Sequence, residues 1–147
     1  MSIYVDVSSA VHAKAGLKRY AENLVRELRP LLGRRLRLFQ NSQGRRGPLP
    51  GWEDWPTTGV RCGYKPWRLV SWMAQETRWP MDHLIPDADL FHATEHLLPY
   101  LRGTPTVLTV HDLIFERFPS YHKRLNHTFL HAAMPRFCRQ ATAIIAV

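Results

Sequence analysis

The stretch Thr104-Pro105-Thr106-Val107-Leu108-Thr109-Val110-His111-Asp112-Leu113 decides the fold. Its centre is apolar and β-branched, and it stops abruptly at a His-Asp pair. Thr106 to Val110 therefore reads as a buried strand. Pro105 fits only at its start, where a missing N–H breaks no ladder bond. The pair then lies just past the carboxyl end of the strand, which is where ligands bind in open α/β sheets. Upstream, Asp89-Leu90-Phe91-His92 reads as another strand end, followed by Glu95 and His96. The two ends are expected to face one crevice. There His111 has the chemistry to polarise a hydroxyl, with Asp112 fixing its tautomer if a turn brings them together. The alternative is a histidine hydrogen-bonded under a loop.

Working outward, Ile3 to Val7 reads as the first strand. Asp6 is odd inside it, and is expected near the strand end or accepting bonds from the next loop. Ser8 to Ala15 reads as a polar loop. Gly16 to about Leu32 is the clearest helix. Leu17, Tyr20, Ala21, Leu24, Leu28 and Leu31 make one apolar stripe, and Gly33 suits its end. Arg34 to Gln40 reads as a strand, Asn41 to Pro56 as a long Gly/Pro/Arg loop, and Thr57 to Cys62 as a weak strand. Trp67 to Arg78 reads as a helix buried through Trp67, Val70 and Met73 or Ala74. A third helix is capped by Ser120 and buries Tyr121, Leu125, Phe129, Ala132 or Ala133 and Phe137, with Pro135 bending or ending it. Ala141 to Val147 reads as a final buried strand. This alternation predicts one α/β domain, a mostly parallel Rossmann-like sheet with helices on both faces.

The 147 residues suffice for a real core. Two cysteines, Cys62 and Cys138, without a C-x-x-C point to reduced thiols and a cytoplasmic protein. No apolar run approaches the roughly 18 residues of a membrane span, and MSIYVDV lacks a signal-peptide pattern. The net charge of +8 is uneven: residues 1–80 hold 14 Lys+Arg against 6 Asp+Glu, and residues 81–147 hold 6 of each. The five tryptophans, Trp52 to Trp79, fall in the same basic part. Basic residues among aromatics suit a solvated face, an anionic surface, or a groove for sugars or bases. A nucleic-acid-binding module is the alternative reading, although no RNP, KH or zinc-finger pattern occurs.

Gly16 opens a helix after a loop, with Lys14, Lys18 and Arg19 close by. Such a turn either offers free N–H groups to a phosphate or is an ordinary strand–helix connection. Neither G-x-G-x-x-G nor G-x-x-x-x-G-K-[ST] is present. His92, Glu95 and His96 spell H-x-x-E-H, a zinc-peptidase string that requires a helix. A strand end with Pro99 soon after argues against that placement, so no metal is expected. His122, His127 and His131 read as a solvated helix face.

The run DLFHATEHLLPYLRGTPTVLTVHDLIFERF, residues 89–118, resembles the N-terminal half of glycosyltransferase family 4, the group 1 sugar transferases of the GT-B fold. There D-L-F-H, a Pro and P-x-V-x-T-x-H-D-L recur in that order. The AGLKRY stretch and the ATAIIAV ending are similar too. The resemblance implies a retaining enzyme that uses a nucleotide-sugar as substrate, with no cofactor and no metal. It implies that this chain is the acceptor-side domain, that a C-terminal nucleotide-sugar-binding domain lies beyond Val147, and that the piece alone is inactive. It places Gly16, with Lys14 and Arg19 close by, near the donor phosphates or the acceptor, although the family's second glycine is replaced by Lys18. It puts His111 beside the donor sugar, steadying the charge that develops on transfer. Glu95, His96 and Asp112 are expected on the acceptor side of the crevice, the alternative being that Glu95 and His96 merely cap a turn. The acceptor is a sugar, a polysaccharide or a lipid-linked molecule. In the last case residues 45–79 are expected to touch an anionic membrane surface at its inner face.

Overall fold

A computed structural model describes residues 1–43, 51–121 and 123–147. His122 and the centre of the 41–56 loop lie outside the described residues. Six strands form one parallel sheet: β1 Ser2–Asp6, β2 Leu36–Asn41, β3 Thr57–Val60, β4 Ala88–Ala93, β5 Thr106–Val110 and β6 Ala143–Ala146. Their order is β3-β2-β1-β4-β5-β6. This is the doubly wound order, and the strand sequence reverses direction between β1 and β4. Every pairing is parallel, so all carboxyl ends share one edge.

Alternating side chains send each strand's apolar residues to two faces. On one face Val5, Val7, Leu36 and Leu38 pack with Val25 of α2 (Ala15–Leu32). On the other, Tyr4, Phe39 and Phe91 meet Trp67 of α3 (Tyr64–Thr77) and Phe137 of α5 (Arg124–Gln140). Phe39 and Phe91 pack edge to face with centroids 5.6 Å apart. Fully burying one such ring contributes about 1.5–3 kcal/mol.

Several expectations are corrected. The 8–15 loop begins with a helical turn, α1 (Ser8–Val11). α3 starts at Tyr64, before Pro66, because a proline in the first turn lacks only an N–H that would have no partner anyway. Its buried residues are Trp67, Ser71, Ala74 and Gln75, whereas Met73 is exposed. Ser120 is not the cap of the third helix. It sits in a 3-10 turn, Pro119–Tyr121, that follows the short α4 (Ile114–Arg117). Tyr121 and Leu125 are therefore outside the core, and Leu130, Ala133, Met134 and Phe137 fill that stripe. Pro135 neither ends nor shortens α5. β6 is an exposed edge strand rather than a buried one.

Candidate functional site

The carboxyl edge at the β1–β4 reversal is held together by short polar links. The Asp6 carboxyl ends β1, and its Oδ1 accepts bonds from the Ser8 N–H (2.8 Å) and the Ser8 hydroxyl. Ser8 Oγ in turn accepts the Asn41 N–H at the end of β2, at 2.9 Å. Thr94, just past β4, donates its hydroxyl to the Asp6 carbonyl at 2.6 Å. Three strand ends are thereby fixed around one point.

His111 lies on this edge beside the turn that carries Gly16. Its ring meets the Tyr20 ring edge-on, at 4.7 Å and 88°. Tyr20 stands one turn beyond Gly16 on α2. The ring's Nε2 is 2.8 Å from the Thr94 carbonyl, which can only accept, so Nε2 carries the proton. The His111 backbone N–H donates to His96 Nε2 at 3.0 Å, so that nitrogen of His96 is bare. Burial pushes His96 down to about 4, which keeps it neutral and able to accept. His111 Nδ1 has no partner among the described residues. A ring clamped at one nitrogen and free at the other can hold a ligand hydroxyl in a fixed place.

A second cluster joins the α2 turn to β4. Lys14 Nζ is 3.0 Å from Glu95 Oε2, and the carboxylate is almost fully buried. The ammonium also lies against the Tyr64 ring of α3, 2.9 Å from its centroid. Among the described residues, Glu95 Oε1 and Asp6 Oδ2 are buried without a hydrogen-bond partner. Burial, then the charge of Glu95, raises Asp6 to about 7. His92 sits below, its Nε2 2.8 Å from Thr109 Oγ1, and burial lowers it to about 4. The Tyr20 hydroxyl reaches the same threonine oxygen at 3.2 Å.

The sequence-predicted residues thus divide. His111, His96, Glu95 and Lys14 come together on one rim. Gly16 is exposed in the first turn of α2, which has no side-chain cap, and a Cβ there would meet nothing within 4 Å. Arg19 is exposed, and no described bond ties it to the cluster. Asp112 does not touch His111. Its carboxylate accepts the Ile114 N–H at 3.0 Å and opens α4, because an extended chain turns adjacent side chains apart. His92, Glu95 and His96 each face a different partner. Among the described residues no group of three His, Cys, Asp or Glu is gathered as a metal would need. The site roles of Tyr20, Thr94, Thr109 and Tyr64 are not legible in the sequence, since a hydroxyl in a strand or helix gives no local signal.

Beside the rim, an open cleft of about 910 Å³ runs between the α2 turn, the end of β2 and the start of α3. His12, Lys14, Lys18, Gln43, Trp52 and Tyr64 are among its walls. Its wall is as apolar as it is polar, carries more cations than acids, and includes Lys14 of the Glu95 cluster.

A family model described as Glycosyltransferase Family 4 matches residues 15–147. No curated protein and no solved structure matches the chain. Asp6 and Lys14 precede the matched region, whereas Glu95, His96 and His111 fall within it.

Proposed function

Because this chain belongs to glycosyltransferase family 4, we propose that it is the acceptor-side lobe of a retaining enzyme that moves a hexosyl group from a nucleotide-sugar to an acceptor hydroxyl. The observation that carries the reading is the placement of His111 and the Gly16 turn on one open rim at the strand-order reversal. A second, nucleotide-sugar-binding lobe closes over that rim. His111, clamped through Nε2, holds a donor-sugar hydroxyl at Nδ1 and steadies the charge that develops at the sugar. The uncapped N–H groups at the start of α2, with Lys14 and Arg19 near, attract the donor phosphates. The acceptor lies in the cationic cleft beside Glu95 and His96, with Asp112 shaping the loop at its rim. In front-face transfer the leaving phosphate takes the acceptor proton, so neither a protein nucleophile nor a metal or other cofactor is required. The setting is cytoplasmic.

The test is transfer from a panel of nucleotide-sugars by the chain joined to its second lobe. His111→Ala should lower kcat at least 100-fold while leaving the thermal midpoint within a few degrees. Equal kcat would overturn the role of His111. Transfer by the 147-residue chain alone would overturn the need for a second lobe.

A membrane-bound acceptor is favoured by one face. Within residues 45–79, Trp67 is core and Trp52 stacks on Trp55, but α3 exposes Leu69 and Met73. Across a groove of about 730 Å³ stands Leu125 of α5, with Lys65, Arg68, Lys123 and Arg124 around it. Apolar residues ringed by cations suit an anionic bilayer at the inner face. Vesicles rich in phosphatidylglycerol should sediment the chain, and Leu69→Glu/Leu125→Glu should release it. Unchanged sedimentation of that variant would exclude this face.

A further inference from the structure

At the opposite, amino edge of the sheet lies a pocket that the transferase reading leaves without a role. It is about 900 Å³ and sits under the last turns of α2, where β2 and β3 begin. Pro30, Leu36, Trp55 and Pro56 form an apolar wall, and Arg26, Arg29 and Arg34 stand around it. Leu36 and Asn41 mark the two ends of β2, so the pocket is separated from the His111 rim by the strand's length, roughly 16 Å at about 3.3 Å per residue.

We propose that this pocket binds a phosphate-class oxyanion, held by the Arg29 and Arg34 guanidinium groups against the Trp55 wall. First, the cations are not neutralised by the protein. Among the described residues Arg26 bonds only the Asn23 amide oxygen (2.9 Å), and no ion pair engages Arg26, Arg29 or Arg34. Elsewhere the chain does pair an arginine with an acid, as at Arg136 and Glu76. Asp54 is the one acid on the pocket wall. Second, Arg29 is held in place: its guanidinium stacks over the Trp55 ring at 4.8 Å, and Trp55 stacks on Trp52 at 5.3 Å. A guanidinium fixed on an indole keeps its N–H fork directed, and this lowers the entropy lost when an oxyanion is gripped. Third, the site is concave and mostly apolar. Its walls lower the local dielectric, so a fork–oxyanion contact here is stronger than on a flat basic surface. Cations that outnumber the single wall acid, Asp54, repel one another, and a bound anion relieves that repulsion.

The oxyanion is either a free phosphorylated molecule or the phosphodiester of a lipid headgroup. Pyrophosphate, titrated by calorimetry into the 147-residue chain at physiological salt, probes the first. Vesicles of phosphatidylglycerol in phosphatidylcholine, against phosphatidylcholine alone, probe the second. The decisive variant is Arg29→Lys/Arg34→Lys, which keeps the charge and removes the planar fork. Saturable pyrophosphate binding that weakens at least tenfold in this variant supports the pocket with a soluble ligand. Binding to phosphatidylglycerol vesicles alone, lost in the same variant, supports it with a headgroup. Absence of both bindings, or equal binding by the lysine variant, overturns the proposal, the latter by reducing the site to diffuse charge. Circular dichroism verifies that the variant is folded; if it is not, Arg34→Lys alone is read the same way, since Arg34 lies on an exposed turn. Neither result depends on sugar transfer, so failure here leaves the family reading standing.

Discussion

Asp6→Asn should stabilise the protein at neutral pH, and increasingly so as pH rises. The native carboxyl is buried at the strand-order reversal and raised from 3.8 to about 7 by burial first and by Glu95 second, against the lowering effect of Ser8 and Lys14. A carboxyl raised on folding holds its proton in the native state while the unfolded chain has lost it. Stability is therefore lost as pH climbs from about 4 through about 7. The rise is roughly three pKa steps, and at 1.36 kcal/mol each the ceiling is about 4 kcal/mol. That is a large fraction of a total stability on the order of 5–15 kcal/mol. His92 and His96, both lowered to about 4, act in the opposite sense. Their neutral native forms add stability as pH rises from about 4 to 6.5. Wild type and Asp6→Asn share that contribution, so the difference between them isolates Asp6. Asparagine retains an oxygen for the Ser8 N–H and hydroxyl, so the main loss at low pH is small. Urea unfolding of both proteins from pH 4.5 to 8 should show the gap widening by on the order of 3 kcal/mol. Curves that stay parallel across that range would refute the claim that Asp6 is buried and protonated there.

Two further outcomes test the frame of the site. Gly59→Ala should cost about 1–3 kcal/mol, because a Cβ there would lie 2.2 Å from the Gln40 carbonyl oxygen. Hydrogen exchange should speed up in β2 and β3 but not in β5, and an unchanged urea midpoint would contradict that close approach. Lys14→Met should cost about 3–5 kcal/mol by leaving Glu95 buried and unpaired. Lys14→Met/Glu95→Gln should recover much of it, and strict additivity in that double-mutant cycle would show that the two side chains do not interact.

What was legible in the sequence was whatever repeats at short range. The apolar run before His111 gave β5, the stripe from Leu17 to Leu28 gave α2, although Leu31 is exposed and Val25 is buried in its stead, and the alternation of the two element types gave a parallel sheet. Local signals failed where tertiary context decided. Tyr121 and Leu125 have the spacing of a buried stripe, yet a 3-10 turn and α4 take up the chain there, and both remain exposed. The buried character expected of β6 was read from composition, which cannot report that a strand is outermost.

The polar cluster was hidden for a different reason. Lys14 and Glu95 are 81 residues apart and Tyr20 and Thr109 are 89 apart, so no window of sequence contains either pair. The residues Lys14 and Glu95 were legible singly but their pairing was not, and Asp6 stood out as a charge in an otherwise apolar strand. Its neighbours explain why such a residue is tolerated. Ser8 gives it two donors, Thr94 ties its backbone to β4, and the proton it keeps avoids a bare buried charge. Together with the Asn41 N–H that donates to Ser8 Oγ, these links hold the ends of β1, β2 and β4 in register around the rim on which His111 is clamped. A polar device at the reversal point therefore does structural work for the site while, among the described residues, Glu95 Oε1 has no hydrogen-bond partner and the described bonds of His111 run through its backbone N–H and Nε2, not Nδ1. Those two atoms, one basic by charge and one by its bare nitrogen, are the features of the rim that a hydroxyl-bearing ligand would answer.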